Sequence, residues 1–412
     1  MTNLKCRSCG FEGLKRFLSL GNIPPVNAFI DPADLDKEKS YPLNLAYCPV
    51  CFLVQLEEIV PPSELFSNYL HLSAGSASNI NHLKEFAEFL KKRFNIGKET
   101  KILEIGSNDG TLLSFLKEYT PNVLGVDPAE NLIQLNKDKE VNYIPKFLNT
   151  STASVIMNQE GKFDLIAALN VVPHTPDVVD LLKAVRILLK DEGTFIMEGV
   201  YALETILKGE FDTIYHEHVY TFSLNSLIST FRMAGLKVID LEKIPTQGIS
   251  LRVIAKKDEF AQQPSDFVKT ILDSEKKLGL TNAELYNSVN SKVEKFRKDI
   301  RIIIDQEKER NGKLIGLGAP ARGVVILNYC NITDSDIDYI VDDTVLKQGK
   351  LVPGVHIPVK STTSLIDEKR RGFILLSWNY KNHFVSKLKQ MFPSFRLIIP
   401  FPELEVIDYN FK

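Results

Sequence analysis

Twice along this chain an apolar, strand-like run breaks at glycines and gives way to a helix-forming stretch. The first copy is Lys101-Ile102-Leu103-Glu104-Ile105-Gly106-Ser107-Asn108-Asp109-Gly110, with a helix expected from near Thr111. The second is Lys313-Leu314-Ile315-Gly316-Leu317-Gly318-Ala319-Pro320-Ala321-Arg322-Gly323. Further short apolar runs follow each copy. Val123-Leu124-Gly125-Val126 ends at Asp127, Phe163–Ala168 ends at Asn170, and Ile337–Val341 ends at Asp342-Asp343. Buried strands alternating with helices require a mostly parallel sheet covered on both faces. The expected fold class is therefore α/β, with two Rossmann-like units in series.

A chain of 412 residues holds two or three domains at about 150 residues each. We expect residues 1–63 to form a small metal-binding module and 64–258 a first Rossmann-like domain. A helical linker over 259–310 and a second Rossmann-like domain over 311–412 complete the chain. An amphipathic helix near 79–94 opens the first domain, with Ile80, Leu83, Phe86, Leu90 and Phe94 at helical spacing. In the linker, Thr281-Asn282-Ala283-Glu284 reads as a capping box. Tyr286, Val289, Val293, Phe296 and Ile300 form the apolar stripe of the helix behind it.

The net charge of −2 argues against a non-specific nucleic-acid binder, which needs a basic surplus. No apolar run approaches a membrane span, and the N-terminus lacks the apolar centre of a signal peptide. These features point to a soluble, cytoplasmic protein; a monomer or homodimer is expected, although they do not bear on that.

Four of the five cysteines form two Cys-x-x-Cys knuckles, Cys6/Cys9 and Cys48/Cys51. Two knuckles complete a tetrahedral structural zinc site with no coordination position left for catalysis. Disulfides suit a cytoplasmic protein poorly, and a redox Cys-x-x-Cys does not need two copies.

Glu104-x-Gly106-x-x-x-Gly110 has the form of a loop that binds S-adenosylmethionine. Glycines there let backbone approach a ligand closely. Asp127, at the end of the next strand, is placed to accept hydrogen bonds from ribose hydroxyls. Ser107, Asn108 and Asn170 complete the expected donor-binding set. NAD is the rival ligand, but the G-x-G-x-x-G spacing is absent and Asp109 is poorly placed for a pyrophosphate. A glycine turn that merely joins strand to helix is the bland alternative.

Tyr215-His216-Glu217-His218 packs three titratable side-chain types into four positions. Histidine exchanges protons near neutral pH and suits general acid–base work. His216 and His218 on an extended strand would also point one way and could hold a metal, although no third ligand is evident.

With these residues in view, the chain resembles the nucleotide-sugar C-methyltransferases over nearly its whole length. The likeness is carried by the four cysteines, Leu20–Phe29, the Glu104–Gly110 loop, Asn170–Asp177 and Phe211–His218. In the last domain it includes Gly318–Gly323, Lys347-Gln348-Gly349, Pro353–Pro358 and Ser377-Trp378-Asn379. The resemblance implies a zinc module, a central S-adenosylmethionine domain and a C-terminal domain that helps hold the sugar nucleotide. It implies methylation of a 4-keto-deoxysugar, typically dTDP-linked and commonly at C-3. His218 is implied as the base, with Tyr215 and Glu217 around the sugar. His174 is a partner of the keto oxygen or an alternative base, and Tyr69 lies near the substrate. Arg322 is a candidate phosphate partner, with a surface ion pair as the alternative. Lys347, Trp378 and Asn379 are further candidates for the substrate, with exposed or purely structural roles as their alternatives.

The family pattern is departed from at Tyr69-Leu70-His71, at Gln247 and Ile249, and at Asp343. These departures bear on which sugar and nucleotide are bound. Sugar O- or N-methylation on the same scaffold, and non-catalytic binding of a sugar nucleotide, are the competing functions.

Overall fold

The computed structural model describes residues 4–66, 72–245, 249–366 and 368–410. The central sheet has seven strands. In spatial order they are Leu236–Ile244, Ser250–Lys257, Leu189–Val200, Phe163–Leu169, Ile102–Ile105, Val123–Val126 and Asn142–Ile144. The last five run parallel, and the first two join antiparallel at one edge. Ile102–Ile105 is buried at every position, because helices cover both faces.

The C-terminal sheet has six strands in the order Val359–Lys360, Ile337–Val341, Leu314–Leu317, Gly372–Leu375, Ser394–Ile399 and Glu405–Asn410. All are parallel except the last. Two doubly wound units in series are therefore present.

The N-terminal module is a sheet of Lys15–Ile23, Tyr41–Tyr47 and Val54–Leu56, and a distant segment completes it. Tyr220–Thr221 pairs antiparallel with Val54 and Gln55, and Leu56 N–H donates to Val219 C=O at 2.9 Å. An edge strand that would expose its backbone groups is thus covered by chain from the central domain.

The expected linker is a strut. Its long helix, Ala283–Asn311, has 29 residues, about 44 Å at 1.5 Å per residue. At one end Tyr286 stacks on Tyr47 of the N-terminal module, with ring centroids 4.1 Å apart. Further along, Phe296 stacks on Phe401 of the C-terminal domain at 4.7 Å. The expected capping box is replaced by a simpler cap. Asn282, not Thr281, is the N-cap, and its side chain accepts from Glu284 N–H at 3.0 Å. Asn caps as well as Thr does, so the helix starts one residue later than the pattern suggested.

Candidate active site

The four zinc-type cysteines meet although about forty residues separate the two knuckles. Cys6 Sγ lies 3.5 Å from Cys51 Sγ, and Cys9 Sγ lies 3.6 Å from Cys48 Sγ. All four sulfurs fall within 4.8 Å of one another. A zinc tetrahedron with bonds of about 2.3 Å has sulfur–sulfur edges of about 3.8 Å, so the donor set fits this ion. None of the four lines the large cavity of the protein.

That cavity, about 660 Å³, opens between the central domain, the C-terminal domain and the segment after residue 210. Its floor is the donor loop. Gly106 has φ +68° and passes so close to Val171 that a Cβ would lie 2.2 Å from Val171 Cγ2. Glu104 lines the wall, is buried, and has one carboxylate oxygen without a partner among the described residues. Burial, then the nearby Asp127 and Asp109 charges, push its pKa well up. An unsatisfied buried acceptor beside a side-chain-free cradle suits a ligand that is cationic and carries N–H groups. Asp127 stands at the next strand end, its carboxylate accepting from Asn108 N–H at 3.1 Å and Ala129 N–H at 2.9 Å. Asn108 and Asn170, both at positive φ, also line the wall.

Two residues of the loop face elsewhere. Gly110 was expected to let backbone approach a ligand. Instead it is the left-handed N-cap of the helix Thr111–Leu116, and a Cβ there would lie 2.6 Å from Asn136 Oδ1. Ser107 is turned under the loop against Gly125.

The opposite wall is the Tyr215–His218 segment, a turn rather than an extended strand, closed by His218 N–H to Tyr215 C=O at 2.8 Å. The turn separates the two histidines. His216 is buried below, its Nε2 3.3 Å from the Tyr41 carbonyl. It does not line the cavity, so the pair is not set up as a shared metal ligand. His218 lines the cavity, with its ring 3.9 Å from that of Tyr215 and 4.9 Å from that of His174. His218 Nδ1 is 2.6 Å from the Thr213 carbonyl oxygen. That oxygen can only accept, so Nδ1 carries the hydrogen and Nε2 keeps the basic lone pair. Burial, partly offset by this hydrogen bond, lowers His218 from 6.5 to about 4. Burial likewise raises Glu217 to about 7, and its Oε1 accepts from Asn27 Nδ2 at 2.7 Å.

Arg322 also lines the cavity, but it is tied inward rather than into a surface pair. Asp212, fully buried, accepts from Arg322 Nε and Nη2, each at 2.9 Å, and from Trp378 Nε1 at 2.8 Å. The guanidinium stacks on the Trp378 ring at 4.4 Å, while its buried Nη1 has no hydrogen-bond partner among the described residues. Trp378 itself is absent from the cavity wall, whereas Asn379 is on it. Lys347, a substrate candidate whose alternative is an ordinary exposed lysine, is half-buried and lines the cavity. Its Nζ donates to the Ala319 carbonyl at 2.9 Å and lies over Phe29. Tyr69, and the Thr246–Gly248 stretch, lie outside the described residues. Asn27, Thr213 and Asp212 were not singled out from sequence. Asn27 and Thr213 sit inside Leu20–Phe29 and Phe211–His218, but nothing local marks which member turns toward the cavity.

Residues 6–66 match the family profile described as "Putative zinc binding domain", 78–241 match "Methyltransferase domain", and 245–402 match "C-methyltransferase C-terminal domain". C-methyltransferase NovU of Streptomyces niveus is 30% identical over 406 residues, 98% of this chain and 97% of NovU. A ubiquinone biosynthesis O-methyltransferase of Acinetobacter baylyi is 23% identical over 159 residues, 34% of this chain and 65% of that enzyme. Magnesium protoporphyrin IX methyltransferase of Synechocystis, solved with bound S-adenosylmethionine, aligns at 14% identity and a TM-score of 0.33. That alignment spans 43% of this chain and 78% of the other.

The fold, the donor loop and the matching profiles define an S-adenosylmethionine-dependent methyltransferase with a structural zinc module. The O-methyltransferase likeness is partial, whereas NovU matches from end to end. The chain belongs to the C-methyltransferase family. Among the described residues, no helix is long and apolar enough to cross a membrane.

Proposed function

We propose that the acceptor is a 4-keto-deoxysugar linked to dTDP, and that the methyl group goes to the carbon beside the ketone, C-3. The observation that carries this reading is the state of His218. It stands half-buried on the wall of the donor cavity, its Nδ1 hydrogen held by the Thr213 carbonyl and its Nε2 lone pair left to accept a proton, and desolvation lowers its pKa to about 4 and so favours the neutral ring. Transfer to oxygen has less need of such a base, because oxygen already offers a lone pair. Carbon becomes a nucleophile only after losing a proton.

In this reading His218 Nε2 takes the proton from C-3, and the C–H electron pair spreads onto the keto oxygen as an enolate. S-adenosylmethionine, when bound, supplies a methyl group on a sulfonium whose departure leaves a neutral thioether. Tyr215 and His174 flank His218 on the cavity wall, and in this reading they face the keto oxygen. Glu217, protonated through part of the neutral range, can donate to or accept from a sugar hydroxyl. The unpartnered Nη1 of Arg322 and the Nζ of Lys347 suit the diphosphate.

The test uses the keto sugar nucleotide in deuterated water without donor. Deuterium should enter at C-3 in the native enzyme. Absence of wash-in, with methyl transfer intact, would favour an O- or N-acceptor. A panel of dTDP-, GDP- and CDP-linked sugars then reads the nucleotide.

A further inference from the structure

His82 lies on the helix Ala77–Phe94 and lines the cavity beside the donor loop, yet nothing above uses it. Its Nε2 is 2.6 Å from Glu198 Oε2. Glu198 is 1% exposed, near the end of the strand Leu189–Val200. Its other oxygen accepts from Arg252 Nε at 2.6 Å. Arg252 in turn donates to Glu242 at 3.0 Å and lies over the rings of Phe86 and Phe89, at 4.9 and 4.3 Å. This is a rigid chain of charges ending on one imidazole. A carboxylate paired with arginine only accepts, so Nε2 carries hydrogen and Nδ1 is the nitrogen left for a ligand.

Strand order indicates what that ligand is. Asp127 directly follows the strand on one side of Ile102–Ile105, while on its other side Asn170 directly follows the adjacent strand and Glu198 lies in the next. Neighbouring strands are about 4.8 Å apart, so Asp127 and Glu198 are separated by about 14 Å across the sheet. A donor whose ribose sits at Asp127 and whose sulfur crosses the glycine loop must run its other end toward Asn170 and His82. That end is the zwitterionic amino-acid group.

We propose that His82, held by Glu198 and Arg252, receives the amino-acid end of S-adenosylmethionine through Nδ1. Glu198 acts as a positioning residue. The role concerns donor affinity and is independent of which sugar is methylated.

The test is calorimetry on the zinc-loaded full chain. Two ligands are compared: S-adenosylhomocysteine, and methylthioadenosine, which shares the adenosine and sulfur but lacks the amino-acid group. His82→Ala should weaken S-adenosylhomocysteine by about 10- to 100-fold, the worth of a hydrogen bond to a charged group. Methylthioadenosine should bind as in the native protein, which also certifies the variant's fold. Glu198→Gln should show the same selectivity with a smaller loss. Unchanged S-adenosylhomocysteine affinity in His82→Ala overturns the proposal. An equal loss for both ligands overturns it too, since His82 would then only support the pocket's shape.

Discussion

Replacing His218 with Asn removes the basic ring nitrogen but leaves an amide that can still donate to the Thr213 carbonyl, 2.6 Å from Nδ1 in the native protein. A positioned general base contributes about 100- to 10,000-fold, so C-3 deuterium exchange and methyl transfer should fall by that factor together. Affinity for S-adenosylhomocysteine should not move. The pH profile tests the same assignment in the native enzyme. Burial lowers His218 from 6.5 to about 4, a preference for the neutral ring worth about 3 kcal/mol. A base works only when unprotonated, so kcat/KM should stay level as pH falls to about 5 and bend downward below it. Glu217, raised by burial to about 7, is the competing base. If it took the proton, kcat/KM would already fall tenfold per pH unit below about 7. Stability carries the same sign. The unfolded imidazole takes a proton near 6.5 and the folded one only near 4. The contribution of His218 is therefore whole above pH 6.5 and is lost as pH falls toward 4. His218→Asn should lose less stability than the native protein across that window. Near-native exchange in the variant, or an acid limb at pH 7, would refute the reasoning.

Asp212→Ala strips Arg322 and Trp378 of their shared acceptor and leaves the guanidinium with Glu210 alone, at 3.5 Å. Breaking a buried ion pair from one side costs about 3–5 kcal/mol, so thermal or denaturant unfolding should show a clear loss, and a native-like midpoint would contradict the pairing. Gly106→Ala puts a Cβ 2.2 Å from Val171 Cγ2 on a backbone at φ +68°; strain of about 1–3 kcal/mol should appear as weaker S-adenosylhomocysteine binding by calorimetry. Cys48→Ser or strong chelation should release one zinc per chain, measured by metal analysis. Because Val54 pairs with Thr221, methyl transfer should fall with the metal although no cysteine lines the cavity.

Much of the fold is legible in the chain because its signals are local. The two glycine loops, the apolar runs ending at Asp127 and Asn170, and the stripe Tyr286–Ile300 each report their own element. What was misread turns on neighbours. Gly110 is the left-handed N-cap of the helix Thr111–Leu116, where Asn136 leaves no room for a Cβ. Tyr215–His218 alternates as a strand would, yet it turns. Phe211 is held in the core against Phe296, Tyr329 and Phe401 at one end, and Tyr220 pairs with Gln55 at the other. Lys347 carries no sequence mark of being half-buried, since only the approach of Phe29 and Ala319 covers it.

The sequence by itself determined the α/β class, the two cysteine knuckles and the donor loop, because each is a local pattern of a strand, turn or knuckle, while the meeting of the two knuckles in one four-sulfur site is tertiary. The resemblance implies His218 as the base, but only the tertiary structure shows the physical difference between the two histidines. His216 and His218 are chemically identical and two residues apart. One meets the Tyr41 carbonyl under the N-terminal sheet, and the other meets Thr213 at the cavity wall. That difference is made by the N-terminal module and the Asp212–Arg322 pair gripping the segment from either side, contacts that no local pattern encodes.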